Sequence, residues 1–295
     1  MPSATPPDSR PSPTRSSTGP ASTTPTSSAS APVSPGAEAA RTRRSAWAAL
    51  VLLVGGLSLG VVLALVGGPW QVLAVLHLGA LAIWFLVWRR GWRDLLRSAG
   101  PRSPWLLFAV SAGLCALSAV VHHSIDNPGA VLAPVTPTGL LSALATALGV
   151  GVLMNAVPEE LSLRRCLLEP LRAQFGDWFA LWTTALAFVI MHLPTWISSH
   201  ATASTYAIEV PEKLLFGVVA AWSVLRLDSL AFALGMHVGG NFTGVLLDSL
   251  SREETLTGWS RFTTPSVIAM LAETLVTAAA VWYLGRPSRM SASHR

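Results

Sequence analysis

Eight apolar runs, at about 46–67, 70–88, 104–122, 138–158, 178–199, 212–226, 229–249 and 264–285, leave this chain of 295 residues few folds to choose from. Runs of about 20 residues are what a helix needs to cross a hydrocarbon core of about 30 Å. Inside that core every backbone N–H and C=O must be satisfied within the segment, which helices achieve and irregular chain does not. Composition agrees, with 51% hydrophobic and 12% charged residues, against about 25% charged in soluble domains. The expected fold is all-α, a polytopic membrane helix bundle of about eight transmembrane helices over residues 45–286. The sixth run is short for a full span, and no internal repeat or domain boundary divides the stretch.

Residues 1–44 are rich in Pro, Ser, Thr and Ala and almost devoid of large apolar side chains. Such a segment cannot offset its own ordering entropy, so a disordered, dispensable tail is expected there. Residues 287–295 are expected to be a short cytoplasmic tail. Arginine placement sets the orientation. Arg41, Arg43 and Arg44 precede the first run; Arg89, Arg90, Arg93, Arg97 and Arg102 follow the second. Arg164, Arg165 and Arg172 follow the fourth, Arg226 the sixth, and Arg286, Arg289 and Arg295 the last. These are alternate loops, so eight spans place both termini in the cytoplasm. The opposite loops are poorer in cations. One is read as holding only Lys213, and Arg252 and Arg261 in the last are offset by Glu253 and Glu254. The net charge of +5 is spread over these clusters and forms no basic face, which argues against nucleic acid as a partner. Cys115 and Cys166 suggest neither a disulfide framework nor a thiolate metal site.

Three polar motifs interrupt this apolar background. Pro158-Glu159-Glu160 is followed by Arg164, Phe188 by His192, and His237 by Asn241. Ionisable groups at membrane depth are costly and mark functional sites by default. Glu160 and Arg164, four apart, share a helix face and can pair. Glu159 points about 100° away, which leaves it available to take a proton from water. Pro158 is expected to kink or open the helix just before the pair. The plain alternative is a set of interfacial charges at a helix end, although two glutamates near a helix C-terminus oppose the macrodipole. His192 alone reads as a structural histidine, and Pro194 behind it frees a carbonyl that either orients the imidazole or bends the span. His237 and Asn241 alone could be an interhelical hydrogen-bonding pair. Gly235, Gly239 and Gly240 around them permit either close helix approach or room for a water or substrate. Taken together, three helices supply a base, two imidazoles and an amide donor, which is the equipment for activating water and stabilising an oxyanion.

The three motifs, in this order on separate apolar segments, resemble the signature of the CPBP family of CAAX-prenyl proteases and bacteriocin-processing enzymes, also called Abi or CAAX proteases. The resemblance covers about residues 138–250, and Ser229 to Asn241 is similar to the family's Ser-x(7)-His-x-x-x-Asn helix. It implies an intramembrane endopeptidase that cleaves a membrane-associated peptide or lipidated protein substrate. Glu159 would activate water with Glu160 beside it, His192 would work with it, and His237 and Asn241 would stabilise the oxyanion or bind a metal. Arg164 would give structural support. Zinc stays open as a cofactor, because His192 and His237 with a glutamate would supply the three protein ligands of a catalytic site. Leu163 and Arg165 depart from the aromatic and glycine usual beside the motif arginine. Two rival readings remain at this point. One is a non-catalytic membrane scaffold, immunity or regulatory protein that keeps the fold. The other is a proton-coupled transporter, for which Glu273 is the only further ionisable candidate.

Overall fold

The structure, a computed structural model, describes residues 102–126, 136–251 and 264–286, with residues 62, 65, 79 and 82 before them. The first two apolar runs, both terminal tails and the loop with Arg252 and Arg261 lie outside the described residues. The described chain is helical: α1 Pro104–Asp126, α2 Pro137–Phe175, α3 Asp177–Ile190, α4 Leu193–Ser198, α5 Ala203–Leu227, α6 Ala231–Leu250 and α7 Thr264–Leu284. Among the described residues four helical stretches, α1, α2, α3 with α4, and the Val267–Leu284 part of α7, are long and apolar enough to cross a membrane. Their outer faces carry exposed large apolar side chains such as Trp105, Leu141, Trp178 and Leu275, as a lipid-facing surface requires.

Local chemistry sets the helix ends. At the start of α2, Thr136 Oγ1 accepts from the Gly139 N–H at 3.1 Å, with Pro137 in the first turn, a position where its missing donor costs nothing. Thr202 caps α5 in the same way through the Thr205 N–H at 3.3 Å. Gly176, at φ +86, turns the chain between α2 and α3, a conformation that costs glycine nothing.

The fourth segment corrects the expectation most. The helix does not end near Pro158 but runs 39 residues to Phe175. At about 1.5 Å per residue it is nearly twice as long as a hydrocarbon core of about 30 Å is thick. Two stretches with wider π register, Ala147–Ala156 and Leu161–Leu168, bracket Val157–Glu160. The Val157 N–H reaches back five residues to Val152. That wider turn takes up the donor Pro158 lacks, and such π segments concentrate at functional sites. The interval read as a loop with Arg164, Arg165 and Arg172 is therefore helix, and Arg164 is buried inside it.

Two other expectations shift. The fifth run breaks at Met191 and His192 before Pro194 at the start of α4. The short sixth run is the apolar half of a 25-residue helix whose first turns carry Glu209, Glu212 and Lys213. Lys213 thus lies in a helix and not in a loop.

Helix α6 packs against α1, the middle of α2, and α5. Its Phe232 and Met236 join Leu107, Cys115, Val219 and Val281 in one apolar core. A second core, built on Leu163, Leu168, Leu171, Leu181 and Phe188, unites α2, α3 and α5. The glycines of α6 serve close approach: a methyl group on Gly235 or Gly239 would overlap the α1 backbone at Phe108 or Ala112. A methyl on Gly244, on the same helix, meets nothing within 4 Å. Overpacking of this kind costs about 1–3 kcal/mol, and a backbone obstacle cannot swing aside. Thermal unfolding of purified protein is expected to show a lowered midpoint for Gly239→Ala and an unchanged one for Gly244→Ala. Equal midpoints for the two would contradict the packing.

Candidate active site

The extended helix α2 presents Glu159, Glu160 and Arg164 to α6. Arg164 Nε donates to Glu160 Oε2 at 3.1 Å, and both side chains are fully enclosed. Glu160 Oε1 accepts from His237 Nδ1 at 3.0 Å. The other imidazole nitrogen, Nε2, lies 3.7 Å from Glu159 Oε2. His237 thus bridges the two glutamates, its Nδ1–H held by the carboxylate that Arg164 neutralises. A carboxylate that fixes one imidazole nitrogen leaves the other aimed for chemistry, as in hydrolytic triads. Glu159 Oε2 is buried and has no hydrogen-bond partner among the described residues. A buried carboxylate oxygen without a partner is expensive, and such an oxygen can accept a hydrogen bond from a water or a substrate.

Arg164 has a second role in the packing. Its guanidinium lies over the Phe188 ring at 5.9 Å, while Nη1 and Nη2 lack hydrogen-bond partners among the described residues. The cation is therefore held by Glu160 and an aromatic face, and it has little to lean on if either goes.

From the α3–α4 junction comes His192. There the His192 N–H turns to Val189 O at 3.1 Å, which leaves the Phe188 carbonyl for the imidazole. His192 Nδ1 donates to that carbonyl at 2.7 Å. A carbonyl only accepts, so Nδ1 carries the proton and Nε2 is left to act. Pro194 stands at the start of α4, just after the helix break, while the carbonyl that orients the imidazole is that of Phe188, released by the turn of the His192 N–H to Val189.

Phe188 ties the histidines together. Its ring meets His192 edge-on at 4.9 Å and His237 at 5.7 Å. Phe216 of α5 stacks on Phe188 at 5.1 Å and abuts His237 at 5.0 Å. One turn beyond His237, Asn241 Nδ2 donates to the Gly151 carbonyl at 3.4 Å. Gly151 is needed there, since a Cβ would come 3.0 Å from the Asn241 backbone oxygen. Just before α6, buried Ser229 accepts the Ala231 N–H at 3.3 Å, at the entrance to the helix that carries His237.

The structure thus brings Glu159, Glu160, Arg164 and His237 into direct contact, sets His192 against the shared Phe188 ring, and places Asn241 on the α2 backbone. Among the described residues no three His, Cys, Asp or Glu side chains are arranged to hold a metal ion. Both His237 nitrogens face carboxylates. Sequence reasoning passed over Phe216 and Trp196. Trp196 had a signal, since 188, 192 and 196 repeat every four residues. Phe216 had none, because its contacts cross between helices.

Among the described residues the chain is helical, with stretches long and apolar enough to cross a membrane, and holds a glutamate–histidine cluster between its helices. Residues 141–243 match the family model of the Rce1-like type II CAAX prenyl endopeptidases, in agreement with the resemblance of the three motifs. That stretch contains every residue of the cluster. No curated protein and no solved structure matches the chain.

Proposed function

We propose that this protein is an intramembrane endopeptidase that hydrolyses a peptide bond of a membrane-associated, lipidated protein with a glutamate-activated water. The observation that carries this reading is the pairing at His237: Glu160 is committed to Arg164 and His237, while Glu159 Oε2 faces the second imidazole nitrogen without a hydrogen-bond partner. Glu159 takes a proton from water as the water oxygen bonds to the scissile carbonyl carbon. The negative charge that develops on the carbonyl oxygen is met by the second amide hydrogen of Asn241, whose first hydrogen goes to the Gly151 carbonyl. The proton held on Glu159 then passes to the leaving nitrogen, the C–N bond breaks, and acid and amine products result. His192, its Nδ1 tied to Phe188 O, offers Nε2 as a station for that proton.

The family description supports a prenylated substrate. Purified protein in nanodiscs, given a prenylated peptide and its unlipidated counterpart, is expected to cleave the prenylated one at a single internal bond. Equal cleavage of both would remove the lipid requirement, and cleavage of neither by folded protein would favour the scaffold reading. We further propose eight spans with both termini cytoplasmic, from the arginine placement. Reporter fusions after residues 45 and 290 should both report the cytoplasm, and opposite sides would overturn that topology.

A further inference from the structure

We propose that Glu209 is a positioning residue for His192 and acts through the indole of Trp196; the proposal rests on the hydrolytic reading above. Glu209 lies in the polar first half of α5 and is 6% exposed, and Trp196 is 4% exposed. The Trp196 Nε1–H donates to Glu209 Oε2 at 2.5 Å. The Trp196 ring lies against His192, with centroids 5.8 Å apart and planes tilted by 33°. Tyr206 abuts Trp196 edge-on at 5.4 Å. The indole is therefore fixed at its nitrogen by a carboxylate and at its ring by a phenol.

That fixation matters for one degree of freedom. The Nδ1 bond to Phe188 O anchors one edge of the His192 imidazole, and the direction of Nε2 is set by what packs on the ring. Phe188 closes one side edge-on at 4.9 Å, and among the described residues Trp196 is the other aromatic side chain in contact. If the indole is released, the imidazole gains room to turn and to exchange tautomers. The need of a buried indole for any acceptor accounts for a hydrogen bond but not for a charge, since an amide or carbonyl oxygen would serve. A carboxylate makes the stronger, shorter bond and holds the ring more tightly.

Glu209 and Phe216 are seven residues apart, and so occupy one face of α5. Phe216 contacts His237 and Phe188, and Glu209 holds the ring that contacts His192. One face of α5 thus steadies both histidines.

Three single variants and the double variant Glu209→Leu with Trp196→Phe test this in purified protein. Glu209→Leu removes the acceptor, Trp196→Phe removes the donor, and Glu209→Gln keeps a neutral acceptor. A misdirected catalytic group costs on the order of tenfold to a hundredfold, so Glu209→Leu and Trp196→Phe are each expected to lose that much in kcat with KM unchanged. Glu209→Gln should recover most of the loss, and the double variant should be no worse than the poorer single. Multiplying losses in the double variant, or loss in KM alone, would overturn the proposal. A readout independent of activity is the 15N spectrum of histidine-labelled protein, with His192 assigned from His192→Asn. A single Nδ1–H tautomer in the wild type that becomes mixed in Trp196→Phe supports the proposal, and an unchanged His192 signal contradicts it. If the wild type hydrolyses nothing, the enzymatic reading fails by itself and the spectra still decide the role of Glu209.

Discussion

Glu159→Gln is expected to yield a folded protein whose hydrolysis has fallen by at least about a hundredfold, the lower end of what a positioned general base contributes. Glutamine keeps the size of the side chain and removes only its capacity to take the proton of water. Folding should be spared for a structural reason. Among the described residues Glu159 makes no hydrogen bond through Oε2, and His237 Nε2 lies 3.7 Å from it. The comparison is of steady-state rates on the same lipidated peptide, with gel-filtration profile and thermal midpoint as controls for folding. A variant that keeps its midpoint and its turnover would move the base role away from Glu159.

Glu160→Gln is expected to behave in the opposite order, with stability lost first. Glu160 is fully enclosed, with Arg164 Nε at 3.1 Å on one oxygen and His237 Nδ1 at 3.0 Å on the other. Removal of one member of a buried pair costs about 3–5 kcal/mol, because the remaining charge is stranded. Arg164 would be left with the Phe188 ring and two Nη atoms without hydrogen-bond partners. The structure also extends the sequence expectation: because Glu160 orients His237, the fraction that does fold should be slow as well. Replacing both Glu160 and Arg164 with leucine removes the stranded charge and should recover much of the thermal midpoint without recovering activity. A double variant no more stable than Glu160→Gln would show that the ion pair is not the source of the loss.

The sequence disclosed what depends on short-range spacing. The Glu160–Arg164 pair follows from a four-residue interval that survives in a helix with π register on both sides. The apolar runs from 104 onward emerge as helices because bilayer-length hydrophobicity permits little else. Contacts between helices were not legible. The Glu160–His237 bond joins residues 77 apart, and nothing in the spacing of either helix says that α6 meets α2 at that height. The continuation of α2 past Pro158 was hidden for another reason: proline reads as a breaker in α register, and only the π turn before it accommodates the missing donor. Lys213 was misplaced, and Glu209 passed over, because a hydropathy reading ends a helix where its charges begin. On α5 these charges face inward, Glu209 to the Trp196 indole.

The most direct test is a single-turnover reaction with wild-type protein in excess over a prenylated peptide, followed by mass spectrometry of both peptide and intact protein. Hydrolysis by a Glu159-activated water predicts two peptide products split at one bond, with the protein mass unchanged throughout. A peptide adduct on the protein, or intact peptide after prolonged incubation with folded protein, would contradict it.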